Sequence, residues 1–146
     1  MVTRAPAKTF ETVVIGEVLG PHAIVITREQ ARNYALACGM STPRFMSDED
    51  ARREEGLPAM LTPGNMTLGI MAKLVTDWLG SGSGQLARIG TTFRSFVHPG
   101  VELTLHGFVT HTDAAARSAD LDVWMEDEDG ERLVVGTATV AFGPAE

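Results

Sequence analysis

The chain has 146 residues, enough for one domain with a core of its own, and its 44% hydrophobic and 21% charged residues exclude disorder as the default state. A net charge of −7 argues against nucleic acid as a partner. The single cysteine, Cys38, excludes an intrachain disulfide framework and a cysteine-based zinc site.

In chain order, residues 1–9 read as a flexible arm and residues 10–146 as a single domain. The arm carries two basic side chains with no apolar run after them, so no signal peptide and no membrane anchor is expected, and the protein is placed in the cytoplasm. Residues 22–26 are a short β-branched strand. Thr27 with Gln30 three positions later makes a capping box, and the helix it opens carries Ala31, Tyr34, Ala35 and Cys38 on its inner face and stops at Gly39. Pro43 keeps residues 40–46 out of helix. Ser47 caps a short charged helix over 48–55, which Gly56 and Pro58 end.

The longest element follows. Thr62 is expected to cap it, Pro63 takes the first helical position, and Gly80 stops it ahead of a Gly/Ser run. Leu68, Met71, Leu74, Val75, Trp78 and Leu79 recur at three- and four-residue steps, with Met66 and Ile70 widening the stripe. So weakly polar a helix is normally covered by other elements, and it is too short to span a membrane. After Gly84 the period changes to two: residues 86–98, 101–110, 117–126 and 133–142 alternate as strands, joined at Pro99-Gly100, at 113–116 and at the Asp129-Gly130 hairpin turn. Helices followed by at least four strands predict an α+β protein, an antiparallel sheet wrapped around one long central helix, which is the hotdog fold. Such a domain leaves an edge strand open, so a dimer is expected.

The capped helix, the Gly39-to-Pro43 loop, the charged helix with Ala51 and Gly56, and the turn into the long helix resemble the MaoC-like hydratase/dehydratase family over roughly residues 10–142. Residues 75–78 and the strand after them are also similar to small subunits of heteromeric hydratases acting on steroid side chains. The resemblance implies an acyl or enoyl thioester of coenzyme A or acyl carrier protein as ligand, a homodimer or a heteromer with another hotdog subunit, and no cofactor or metal. It also implies an Asp-x-x-x-x-His dyad that activates water and protonates the α-carbon. Aligned on Gly39, Pro43 and Ala51, those two positions hold Met40 and Phe45, and neither side chain transfers a proton. No Asp followed five positions later by His occurs in the chain.

The binding half of the site is expected to survive in Ser41, Thr42, Arg44, Thr62, Gly64 and Asn65. The first-turn N–H groups at Gly64 and Asn65 are placed to polarise a carbonyl. The leading expectation is a dyad-less subunit of an enoyl hydratase/dehydratase complex. A stand-alone noncanonical dehydratase or cyclase working through Asn65, Ser41, Thr42 and Arg44 is the alternative. A hotdog thioesterase using a carboxylate among Asp48, Glu49, Asp50, Glu54 and Glu55 is a further one. His22 and His98 read as surface residues and His106 as solvated or interfacial. His111 and Asp113 lie close together in a turn but lack a third ligand for a metal. Cys38 reads as core, and Arg88 and Arg94 as partners of the acidic helix.

Overall fold

The computed structural model describes residues 7–144, so most of the expected arm, residues 1–6, lies outside the described residues. Five strands, β1 (Val18–Val25), β2 (Gln85–Phe93), β3 (Glu102–Asp113), β4 (Ser118–Glu126) and β5 (Arg132–Ala141), form one antiparallel sheet in the order β1-β3-β4-β5-β2. Three helices, α1 (Arg28–Ala37), α2 (Asp48–Glu55) and α3 (Gly64–Leu79), come before β2, and the sheet curls around α3 as the pattern predicts.

The core is the meeting of one helix stripe with one sheet face. Thr67, Met71, Val75 and Leu79 are the fully buried positions of α3. They face inward-pointing Leu103, Leu105 and Val109 of β3, Leu121, Val123 and Met125 of β4, and Val134, Ala138 and Val140 of β5, all buried. The alternation of β3 up to Val109 and of β4 throughout is the period-2 signature of a sheet with one covered face. At the far end of the β4–β5 hairpin, Asp127 accepts from the backbone N–H groups of Asp129 and Glu131, both at 2.9 Å, and Gly130 takes φ +78.

The Thr27 capping box is present in full, its side chain accepting from Gln30 N–H at 3.0 Å and Gln30 Oε1 accepting from Thr27 N–H at 2.9 Å. Ser47 caps α2 by accepting from Asp50 N–H at 3.0 Å.

Several boundaries differ from expectation, and the changes in β1 and β3 go with bulges. β1 begins at Val18 rather than at residue 22, because Gly20 does not end the strand but absorbs a register shift between Leu19 and His22. A Cβ there would sit 2.5 Å from the Leu105 carbonyl oxygen, so only glycine fits. β2 ends at Phe93 rather than at residue 98, and a shift between Leu86 and Arg88 turns both Leu86 and Ile89 toward the core. β3 continues to Asp113 through a shift between Val109 and His111, so His111 and Asp113 belong to a strand and not to a turn. Finally, α3 starts at Gly64, with Pro63 as its N-cap, one residue later than the Thr62 cap implies. Cys38 is exposed rather than core, since α1 ends at Ala37 and Cys38 is its C-cap, outside the helix.

Candidate functional site

The start of α3 is built from a proline and a glycine. Pro63 (φ −57, ψ 135) caps with its carbonyl alone, accepting from the N–H groups of Met66 at 3.1 Å and Thr67 at 3.3 Å. No side chain caps the helix, so the first N–H groups, at Gly64 and Asn65, have no intrahelical acceptor and carry the positive end of the helix dipole. Thr62 does not cap. Its N–H donates to the Val97 carbonyl at 2.8 Å, while its hydroxyl oxygen is shut away from solvent without a partner among the described residues. Asn65 is exposed.

Beside this helix start is a cavity of about 190 Å³ lined by Phe45, Leu61, Thr62, Gly64, Thr67, Phe93, Ser95, Phe96 and Val97. The Phe93 ring lies directly over Gly64, where a Cβ would come within 3.0 Å of its Cζ. Nothing in that lining titrates near neutral pH, and a water there would meet only threonine and serine hydroxyls. The structure thus brings together Phe45, Thr62 and Gly64. It leaves Met40, half-buried, and Ser41 and Thr42, both exposed, outside the cavity lining.

Arg44 has another task. Its Nε and Nη2 donate to Glu55 Oε1 at 2.9 and 2.6 Å, its backbone N–H donates to Oε2 at 2.6 Å, and its carbonyl accepts from Leu61 at 2.7 Å. The segment over α3 is thereby riveted to α2. A second rivet joins α1 to α2: Asp48 accepts from Met60 N–H and from Arg28 Nε, both at 3.0 Å, and the Met60 carbonyl accepts from His98 Nδ1 at 2.8 Å.

Both carboxyls are held below the ordinary carboxylate range. For Asp48 the chief cause is the Met60 N–H, followed by Arg28; for Glu55 it is the Arg44 guanidinium. A lowered carboxyl stabilises the fold fully above its unfolded value, near 4, and that contribution is lost as pH falls through the lowered folded value. Acid titration followed by circular dichroism is therefore expected to show stability falling below about pH 4. The fall should be smaller in Glu55→Gln, which has no carboxyl to protonate. An equal acid loss in that variant would put the titrating group elsewhere.

A further cavity, about 860 Å³, is a groove between α3, β1 and α1. Met66, Ile70, Leu74 and Trp78 form one wall and Val18, Leu19, Ile24, Ile26 and Leu105 the other, with Gln30, Asn33 and Tyr34 of α1, and His22, Lys73 and Asp77 also in the lining. This is the volume and the apolar character of a site for a small organic ligand. Sequence reasoning placed the four α3 residues in a stripe and took the stripe as covered. Its flank is half-buried and lines the groove instead. Phe93 and Phe96, exposed by 51% and 57%, were also missed, because alternation alone does not show where β2 ends.

The remaining candidates disperse. His22 is exposed and lines the groove, and His98 is half-buried with its Nδ1 occupied. His106 contacts Glu126 Oε1 through Nε2 at 2.9 Å and stacks on Trp124 with centroids 5.2 Å apart, on the outer face of the sheet. The acidic residues of α2 pair with Arg28, Arg44 and Arg53, not with Arg88 or Arg94. Among the described residues no cluster of His, Cys, Asp and Glu could hold a metal, and no helix is long and apolar enough to cross a membrane.

No protein-family profile matches the sequence, and no curated protein matches it. Solved structures do. The ChsH1-ChsH2 complex from Mycobacterium tuberculosis matches with a TM-score of 0.78 at 20% identity, over 89% of this chain and 98% of that one. An (R)-hydratase from A. caviae involved in PHA biosynthesis matches at 0.81 and 16%, over 91% and 99%. A MaoC-like dehydratase matches at 0.83 and 23%, over 94% of this chain but 43% of that one, so this chain spans less than half of that protein's length. The chain has the hotdog fold of the MaoC-like dehydratases and (R)-hydratases. In this hotdog the long helix is α3; of the two positions where the resemblance seen in the sequence places the dyad, Phe45 lines the cavity at its first turn and Met40 does not.

Proposed function

We propose that this hotdog chain binds acyl or enoyl thioesters of coenzyme A or acyl carrier protein, as a dyad-less subunit of an enoyl hydratase/dehydratase assembly in the cytoplasm. The thioester carbonyl lies at the start of α3, against the N–H groups of Gly64 and Asn65 and beside Thr62, and the acyl body lies along the groove on α3. A second hotdog subunit supplies the acid and the base, and no cofactor takes part. The observation that carries this reading is the pairing of an apolar 860 Å³ groove with a helix-start cavity lined by Phe45 and Phe93 and devoid of proton-transferring side chains. The name of the ChsH1-ChsH2 complex, two components together, supports a heteromeric arrangement. Thioesterase chemistry is disfavoured because each of Asp48, Glu49, Asp50, Glu54 and Glu55 is already paired with an arginine.

Isothermal titration of the purified protein with octanoyl-CoA, which carries no double bond to hydrate, tests the binding half. Saturable binding at one site per chain is expected, with a negative heat-capacity change from burial of the alkyl chain. Absence of saturable binding to any acyl-CoA, with the protein folded, would overturn the reading.

A further inference from the structure

We infer that Trp78 closes the far end of the groove and sets the length of acyl chain it takes, with Glu17 as the positioning residue that holds the indole there. This rests on the groove being the acyl site. Met66, Ile70, Leu74 and Trp78 follow one another at four-residue steps, so the α3 wall runs about 18 Å from first to last at the helical rise. The lining ends at Trp78 on α3 and at Val18 on β1. At that end the indole is fastened on two sides. Its Nε1 donates to Glu17 Oε2 at 2.8 Å, and Lys8 Nζ stands 5.6 Å above the ring centroid.

Glu17 is itself held, with Lys8 Nζ at 3.2 Å from Oε1 and 3.1 Å from Oε2. Lys8 is anchored by its backbone N–H, which donates to the Leu79 carbonyl at 2.9 Å. Both side chains are more than two-thirds buried, at 28% and 22% exposure, so the ion pair is sheltered from screening water. The N-terminal segment, the turn before β1 and the last turn of α3 are thus tied at one point, and the indole cannot swing away when a chain presses on it.

A chain entering from the start of α3 gains apolar contact along Met66, Ile70 and Leu74 until it meets this wall. Each buried methylene raises affinity about fourfold. Further carbons must stay in water or displace a fastened ring, so affinity should stop rising with length once the chain reaches Trp78.

The test is titration calorimetry with butanoyl-, octanoyl-, dodecanoyl- and hexadecanoyl-CoA on the full chain. In the wild type the rise in affinity is expected to level off before hexadecanoyl-CoA. In Trp78→Ala the hexadecanoyl-to-octanoyl affinity ratio should increase by about tenfold or more, as methylenes enter the vacated space. Glu17→Ala should shift the profile the same way, and Glu17→Gln, which keeps an acceptor for the indole N–H, should restore it. A merely structural role for Glu17 would weaken all chain lengths alike and would not distinguish Gln from Ala on the length profile. Should Trp78→Ala fail to fold, Trp78→Phe shortens the same wall and must move the levelling point. An unmoved profile in a folded variant overturns the inference and leaves acyl binding standing. No binding of any chain to the wild type overturns the acyl reading itself, and this inference with it.

Discussion

Purified alone, the protein is expected to leave crotonyl-CoA unhydrated, its enoyl absorbance falling no faster than in buffer. The cause is the composition of the cavity at the start of α3. Phe45 projects into it, Phe93 covers Gly64, and the only polar side chains are the hydroxyls of Thr62, Thr67 and Ser95. A water there has no imidazole or carboxylate to take its proton, and each positioned acid or base contributes on the order of 10²–10⁴ in rate. The N–H groups at Gly64 and Asn65 can still polarise a carbonyl, but polarisation without proton transfer leaves hydration slow. Co-expression with a hotdog protein that carries the Asp and His should restore turnover by at least one such factor. Clear turnover by the chain alone would show that the chemistry rests on other side chains and would sink the subunit reading.

Met71→Ala is expected to cost about 2–5 kcal/mol of stability, the range for deleting a fully buried large side chain that its surroundings cannot collapse around. Met71 has no exposed surface and stands in the middle of the buried stripe between Thr67 and Val75. At roughly 2–4 °C per kcal/mol for a domain of this size, thermal unfolding followed by circular dichroism should show a plainly lowered midpoint. Met71→Leu, which conserves volume, should stay within about 1.5 kcal/mol. Asn65→Ala, on the exposed face of the same helix, should shift stability by no more than about 0.5 kcal/mol. A Met71→Ala midpoint indistinguishable from that of Asn65→Ala would mean that α3 is not the centre of the core.

The fold was legible where one periodicity held without interruption. The four-residue steps of α3 and the two-residue steps of β4 are each long enough to outweigh local noise, and Thr27, Ser47 and Gly80 mark ends by chemistry that reads directly from the residue type. Legibility failed where a bulge changed the phase. Gly20, before Pro21, reads as punctuation, and whether a glycine ends a strand or lets it pass beneath Leu105 depends on a neighbour more than eighty positions away. The Thr62 cap failed for a related reason. The Thr62 N–H is bound to Val97 across the molecule, and that attachment, not local preference, sets where the chain turns into the helix.

The candidate site was legible in Phe45, Thr62 and Gly64, which the structure does bring together around one cavity. It was not legible by what fills it. Phe93 reaches Gly64 from a strand that lies far along the chain, and the groove exists only because α1 and β1 stand off from one flank of α3. Arg44 is expected among the ligand contacts because of its place in the loop that carries the resemblance. Its partner, Glu55, is on the next helix, and the pair is a fastening.

That fastening has a consequence for the order in which the molecule comes apart. α2 buries a single side chain, Ala51, and the segment around it is retained by the carboxylate rivets at Asp48 and Glu55 together with Met60 and Leu61. The sheet and α3 share a continuous apolar interior, to which this segment contributes Ala51 and Met60. Segments with little buried apolar surface exchange their amide protons through small openings, long before the whole chain unfolds. Most of α2, which buries only Ala51, is therefore expected to exchange its amide protons sooner than β4 or the buried stripe of α3.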